Sequence, residues 1–166
     1  MKYLALSVAL SLPAAALAAD LEAPDERKSL ARFELKSLDG KRVRSKDFDG
    51  KVAVVSFWAT WCKPCKQELD ALNELMKKHD ELTVLAIATD GPETQSDVRS
   101  TLRRKRWKFI NAADADGSVG SSLNPRGSVP FTMFVDKNGK VAYVHAGYRS
   151  GDESKYAQVV AALLAE

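Results

Sequence analysis

The chain has 166 residues, of which 45% are hydrophobic and 28% charged, with only 9 glycines and 6 prolines. This composition excludes a disordered chain and a fibrous repeat, and it predicts one globular domain. The net charge of +3 is too small to indicate a nucleic-acid-binding protein or strong attraction to membranes. The only two cysteines, Cys62 and Cys65, are two residues apart. A disulfide between them would close too short a loop to act as a structural crosslink, so their presence calls for a chemical explanation.

The first 18 residues have the pattern of a secretory signal peptide. Lys2 supplies a positive charge, residues 3–12 are largely apolar, and Ala16-Leu17-Ala18 fits a small-residue cleavage site. An uncleaved membrane anchor stays open as an alternative, because the segment is about as long as the shortest membrane spans, roughly 17 residues. Pro13 and the alanines after it favour cleavage. We therefore predict a signal peptide at residues 1–18 and a periplasmic or secreted protein.

The next segments predict a leader and the first part of a single domain. Residues 19–30 are polar and charged and are predicted to be a flexible leader, and residues 31–166 form the domain. Asp39-Gly40 between apolar positions indicates a β-hairpin. The unbroken apolar run Val52–Trp58 predicts a central strand that is buried on both faces.

The rest of the chain alternates between helices and strands. The predicted elements are a helix from the cysteines to about Lys78, a strand over Leu82–Thr89, a helix over Pro92–Trp107, a short strand over Phe109–Ala113, a loop with one helical turn near Val119–Leu123, a hairpin of Phe131–Val135 and Val141–Ala146, and a terminal helix. This order predicts an α/β fold with a mixed central β-sheet flanked by helices.

The two cysteines follow a predicted buried strand and open a predicted helix. The unpaired N–H groups and the positive dipole at a helix N-terminus lower the pKa of a thiol, and Lys63 and Lys66 add positive charge. Pro64 is tolerated in the first helical turn. We expect Cys62 to be the exposed nucleophile that attacks a substrate disulfide, and Cys65 to resolve the mixed disulfide that forms.

Three alternative roles for the cysteine pair are weaker. Buried structural cysteines stay possible, although the helix start and Pro64 argue against them. Half of a zinc site is disfavoured because His79 and His145 lack ligand spacing, and both histidines are interpreted as structural or surface residues. Covalent haem attachment would need a histidine directly after Cys65. We therefore predict neither a metal nor a cofactor.

The stretch from Phe57 to Glu68, FWATWCKPCKQE, resembles the active-site segment of the thioredoxin superfamily, and more narrowly its TlpA/ResA-like branch of secreted thiol-disulfide oxidoreductases. The resemblance extends over about residues 33–166. It implies a thioredoxin-like fold with an N-terminal β-hairpin and a central helix-strand insertion. It also implies that Pro130 is a cis-proline facing the cysteines, and that the backbone of Val129 pairs with an extended substrate segment.

The resemblance also bears on other residues around the cysteines. Trp61 is expected to flank the site as an apolar surface, and Trp58 to belong more to the core. Thioredoxins carry a buried aspartate where this chain has Ser56. Asp90 and Glu68 are therefore considered as proton carriers, with a surface turn residue as the alternative for Asp90.

One further departure concerns the helix that follows the cysteines. The family's usual proline is replaced there by Asp70, so the helix is expected to lack the family's kink.

These features predict a protein-disulfide reductase of the periplasm, as in cytochrome c maturation or a related pathway. Its expected partners are protein disulfide substrates and a membrane protein that donates electrons, and the protein is expected to be a monomer. A disulfide oxidant or isomerase is the close alternative. A metal-carrying or non-catalytic binding module of the same fold is less favoured, and a peroxidase is disfavoured because no Pro-x-x-x-Thr-x-x-Cys pattern precedes Cys62.

A run of six basic residues lies between Arg99 and Lys108. At helical spacing such a run is typical of a solvated helix face. Docking of an acidic protein partner is the functional alternative.

Overall fold

A computed structural model describes residues 21–166, and the predicted signal peptide lies outside the described residues. The strands are β1 (Lys28–Ser29), β2 (Glu34–Lys36), β3 (Arg42–Arg44), β4 (Val52–Trp58), β5 (Leu82–Ala88), β6 (Ile110–Ala113), β7 (Phe131–Val135) and β8 (Lys140–Ala146). The α-helices are α1 (Lys63–Lys78), α2 (Gln95–Lys105), α3 (Ser118–Leu123) and α4 (Asp152–Ala165), with 3₁₀ turns at Ser45–Phe48 and Pro92–Thr94. None of the helices within residues 21–166 has both the length and the apolar character needed to cross a membrane.

Six strands form a mixed sheet in the spatial order β1-β8-β7-β4-β5-β6. Strands β4, β5 and β6 are parallel, whereas β7 is antiparallel to both β4 and β8. Strands β2 and β3 form a separate hairpin. The predicted mixed sheet, the two hairpins and the inserted α2–β6 unit are therefore confirmed.

Strand β4 is the centre of the sheet, and all seven of its residues are buried. Successive side chains of a strand point to opposite faces. Val54 and Trp58 accordingly pack with α1 and α4 in one apolar cluster, while Val55 and Phe57 pack in a second cluster on the other face. Because both faces are covered, the strand is apolar without alternation, as its sequence predicted.

The expected flexible leader is wrong at its C-terminal end. Lys28 and Ser29 form β1 at the sheet edge, and the side chain of Arg27 is only 2% exposed. The Arg27 guanidinium lies 2.9 Å from the Asp136 carboxylate and 2.7 Å from that of Glu166. The composition of residues 19–30 indicates only a polar segment. Arg27 is nevertheless buried, because two carboxylates from distant parts of the chain pair with it.

Helix α1 is continuous, and Asp70 joins it to the segment after α2. The carboxylate of Asp70 accepts hydrogen bonds from Trp107 Nε1 at 2.8 Å and from Lys105 Nζ at 2.6 Å. Helix α2 ends at Lys105, two residues before its predicted end, because Arg106 adopts a left-handed conformation with φ of 56°. Asp70 therefore ties the insertion to the helix that carries the cysteines.

We expect Arg27→Ala to lower the free energy of unfolding by about 3 kcal/mol, because it leaves the buried Asp136 carboxylate without its cation. Arg42→Ala is the matched control, since its ion pair with Glu34 is 67% and 57% exposed and is worth less than about 1 kcal/mol. Equilibrium unfolding in urea measures both. Equal losses in the two variants would contradict a stabilising role for the buried cluster.

Candidate active site

The two cysteines form a disulfide at the N-terminus of α1. Cys62 is the N-cap residue, with φ of −83° and ψ of 103°, and its sulfur accepts a hydrogen bond from the Cys65 backbone N–H at 3.2 Å. The two Cα atoms are 5.3 Å apart. Pro64 lies in the first turn, where its missing N–H leaves no intrahelical bond unmade. An N–H group and the helix dipole both favour negative charge on the Cys62 sulfur once the disulfide is reduced.

The expectation that Cys62 is exposed is wrong for this oxidised state. Cys62 is 4% exposed and Cys65 is completely buried, because both belong to the apolar cluster that includes Trp58 and Ala59. Cys62 is still the more accessible of the two. Trp61, by contrast, is 75% exposed and presents an apolar surface directly before the disulfide.

The loop before β7 brings a cis-proline to the same end of the sheet. The Val129–Pro130 peptide bond is cis, as the resemblance implied. Phe131 pairs with Phe57, so Pro130 is placed level with the end of β4, from which the chain continues to Cys62. Val129 lies outside the paired register of β7 and β8, which begins at Phe131.

Glu68 is completely buried and is bound by three hydroxyl groups from three different elements. Its carboxyl group accepts from Ser56 Oγ at 2.9 Å, from Thr132 Oγ1 at 2.9 Å and from Tyr156 Oη at 2.5 Å. These donors belong to β4, β7 and α4. Glu68 is three residues after Cys65 on α1, so the two side chains share one face of the helix.

Burial raises the pKa of Glu68, while hydrogen bonds from Tyr156, Ser56 and Thr132 act in the opposite direction. The pKa of Tyr156 is also raised, first by its own burial and then by the charge of Glu68. Tyr156 therefore remains a proton donor to the carboxyl group. A carboxyl group with a raised pKa, one helical turn from Cys65, is chemically suited to exchange a proton with that thiol.

Asp90 lies against the loop that precedes the cysteines. It is 4% exposed, so the alternative of a surface turn residue is wrong. Its carboxylate accepts from the Thr60 N–H at 3.0 Å and from the Thr60 hydroxyl. Its backbone carbonyl accepts from Gln95 Nε2 at 2.7 Å. These contacts position the Thr60 loop, whereas a role for Asp90 in proton transfer stays a prediction.

Sequence reasoning misses two of the groups that surround Glu68. The sequence patterns place Thr132 only in a strand and Tyr156 only on the apolar face of a helix. A polar atom at a core position signals a buried partner, because a hydroxyl group is costly to bury without a hydrogen bond. That signal is present for both residues, but it does not identify the partner.

The histidines and the basic run lie at other places in the structure. His145 contacts Asp152 at 3.1 Å and Tyr143 at 3.2 Å, and His79 is the C-cap residue directly after α1. All six residues of the basic run are exposed, as a solvated helix face requires. Four of them belong to α2 and two follow it; the six are Arg99, Arg103, Arg104, Lys105, Arg106 and Lys108.

Comparison with known proteins gives a consistent family. A profile of the AhpC/TSA family matches residues 27–144. The thiol-disulfide oxidoreductase ResA of Bacillus thuringiensis subsp. konkukian is 37% identical over 116 residues, which are 69% of this chain and 65% of that protein. The match therefore spans just under two thirds of that relative.

Solved structures agree on the fold. A putative thiol:disulfide interchange protein DsbE from Chlorobium tepidum has a TM-score of 0.77 at 28% identity, covering 86% of this chain and 99% of that one. A secreted Mycobacterium tuberculosis disulfide oxidoreductase homologous to E. coli DsbE has a TM-score of 0.69 at 25% identity, covering 79% and 96%. The chain thus has the thioredoxin-like fold that its sequence predicted.

We expect the contribution of Glu68 to the free energy of unfolding to fall as the pH rises past the ordinary glutamate pKa of 4.5, because the raised pKa means that folded Glu68 holds its proton more tightly than the unfolded chain. The contribution is fully present below pH 4.5 and is lost as the pH rises through the folded pKa. Glu68→Gln removes this titration. Urea unfolding of both proteins from pH 4 to 8 measures the difference in unfolding free energy, and a difference that does not change with pH would contradict the expectation.

Proposed function

The chain belongs to the AhpC/TSA family, and we propose that it is a thiol-disulfide oxidoreductase that works through Cys62 and Cys65. One observation carries the proposal: the two cysteines form a disulfide at a helix N-terminus, where the Cys65 N–H is bonded to the Cys62 sulfur. This arrangement stabilises a thiolate at Cys62. The names of the relatives, as thiol-disulfide oxidoreductases, support the same activity.

In the proposed reaction, the Cys62 thiolate attacks one sulfur of a protein disulfide and releases the other sulfur as a thiolate. The Cys65 thiolate then attacks Cys62, which releases the substrate's second sulfur and leaves the Cys62–Cys65 disulfide. Two electrons pass from the dithiol to the substrate. Glu68 is proposed to take up the Cys65 proton, and the backbone of Val129, which lies outside the β7–β8 register, to pair with the substrate chain.

The proposed direction is reduction of protein disulfides outside the cytoplasm, as in cytochrome c maturation or a related pathway. The signal-peptide pattern of residues 1–18 supports this location. The periplasm is kept oxidising, so the reduced dithiol has to be regenerated, and we propose a membrane protein as the electron donor to a monomer. A disulfide oxidant or isomerase is the alternative that uses the same dithiol.

We expect the reduced protein to catalyse insulin disulfide reduction, and Cys62→Ser to abolish this activity because the attacking thiolate is gone. Cys65→Ser keeps the attacking thiolate but cannot release the substrate, so it is expected to accumulate a mixed disulfide that non-reducing gels and mass spectrometry detect. Reduced wild-type protein whose thiols are blocked with iodoacetamide is the inactive control. Full activity in the Cys62→Ser variant would overturn the mechanism.

The direction of electron flow is tested by the reduction potential of the Cys62–Cys65 couple. For a reductase we expect a value below about −200 mV, on the side of thioredoxin at about −270 mV. Equilibration with glutathione buffers, followed by trapping of free thiols, gives the value. A potential near that of the strong oxidant DsbA, about −120 mV, would favour the alternative function.

A further inference from the structure

A groove of about 350 Å³ lies beside the cysteine motif, between the start of α1 and the end of α2. It is lined by Lys63, Lys66, Gln67, Thr101, Arg104 and Lys105. Four of these six residues are cations, and no carboxylate is among them. The groove therefore concentrates positive charge at a concave surface, where the local field is stronger than on a flat one.

Most of this charge has no acidic partner among the described residues. Lys105 forms an ion pair with Asp70 at 2.6 Å. Arg104 donates to the hydroxyl groups of Ser100 and Thr101, and Lys66 donates to the backbone carbonyl of Thr60 at 2.9 Å. Within residues 21–166, Lys63 is in no ion pair either. Three of the four cations are thus available to pair with external carboxylates.

The groove is connected to the cysteine motif through the chain, because its lining residues Lys63 and Lys66 each directly follow one of the two cysteines. Lys63 directly follows Cys62, and the 75% exposed Trp61 directly precedes it. A protein chain whose disulfide reaches Cys62 would therefore place its neighbouring residues over Trp61 or in the groove. Arg103, Arg106 and Lys108 are exposed as well, but Arg106 and Lys108 line a neighbouring cavity that also contains Asp70 and Glu74.

We propose that this groove, formed by Lys63, Lys66, Arg104 and Lys105, binds acidic side chains that flank the reactive disulfide of a protein partner. The inference rests on the proposed oxidoreductase function and adds the chemical class of the partner. Carboxylates in the groove pair with cations that otherwise face mainly water and neutral groups, and they hold the partner's disulfide at Cys62. Such complementarity raises the association rate and depends on ionic strength.

The test uses two synthetic peptides that each contain one intramolecular disulfide and differ only in four flanking residues, glutamates in one and glutamines in the other. The reduced protein is mixed with each peptide, and stopped-flow tryptophan fluorescence gives the rate constant of the exchange. The peptide gains two electrons and the protein forms its Cys62–Cys65 disulfide. At low salt we expect the glutamate peptide to react at least about tenfold faster, an advantage that shrinks as salt is raised.

Two charge-reversal variants on the same helix distinguish an effect of the groove from an effect of the overall net charge. Arg104→Glu changes a groove residue, and Arg103→Glu changes an adjacent exposed residue that does not line the groove. We expect Arg104→Glu to reduce the preference for the glutamate peptide by roughly fivefold, about 1 kcal/mol, and Arg103→Glu to reduce it much less. The preference is the ratio of the two peptides' rate constants in the same variant, so a change in the rate with the glutamine peptide is divided out.

The possible results separate the partner preference from the oxidoreductase function. If both peptides react at the same rate, the partner preference is overturned while the oxidoreductase function stands. An equal loss of preference in both variants would show that net charge causes the effect, and it would overturn the proposed role of the groove in binding. If neither peptide reacts with the reduced wild-type protein, the proposed oxidoreductase function itself is contradicted.

Discussion

The carboxyl group of Glu68 joins four elements of the fold at one buried point. It belongs to the helix that carries the cysteines, and it is hydrogen-bonded to Ser56 in the central strand, to Thr132 in the strand after the cis-proline and to Tyr156 in the terminal helix. Thr132 and Tyr156 both donate to Oε1, whereas Ser56 donates to Oε2, so removing the Ser56 hydroxyl leaves a buried carboxyl oxygen without its donor, which is costly. The same contacts therefore hold these four elements together and keep a titratable group one helical turn from Cys65.

The helix with the cysteines is fixed at further points along its length. The Thr60 loop before it is held by Asp90, which follows the next strand, and by Lys66 of the helix itself. On its second turn, Asp70 binds Trp107 and so connects the helix to the inserted α2–β6 unit. The insertion is therefore part of the support for the site and also supplies one wall of the basic groove.

Elements whose formation depends on neighbouring residues could be predicted from the sequence. The apolar run Val52–Trp58 indicated a strand covered on both faces. The two strands of the last hairpin were also predicted, and they flank a turn in which Gly139 has φ of 70°. The partners of Glu68 lie up to 88 positions away and those of Arg27 up to 139 positions away. Such contacts depend on how elements pack across the sheet, and hydrophobic periodicity in a single sequence does not carry that information. The position of the Cys62–Cys65 pair was predictable because its chemistry is contained in one strand-to-helix junction.

The buried Arg27 cluster and the disulfide lie at opposite ends of the central strand. Its partner Asp136 follows Val135, which pairs with Ala53 near the start of β4, whereas the disulfide follows Trp58 at the end of that strand. A seven-residue strand separates the two ends by roughly 20 Å. A linker or solid support attached at residue 21 would thus meet the domain at the end of the sheet opposite the disulfide, because Glu22 is hydrogen-bonded to Ala142 of β8. Immobilisation through that end is compatible with free access of a partner to the sulfur atoms.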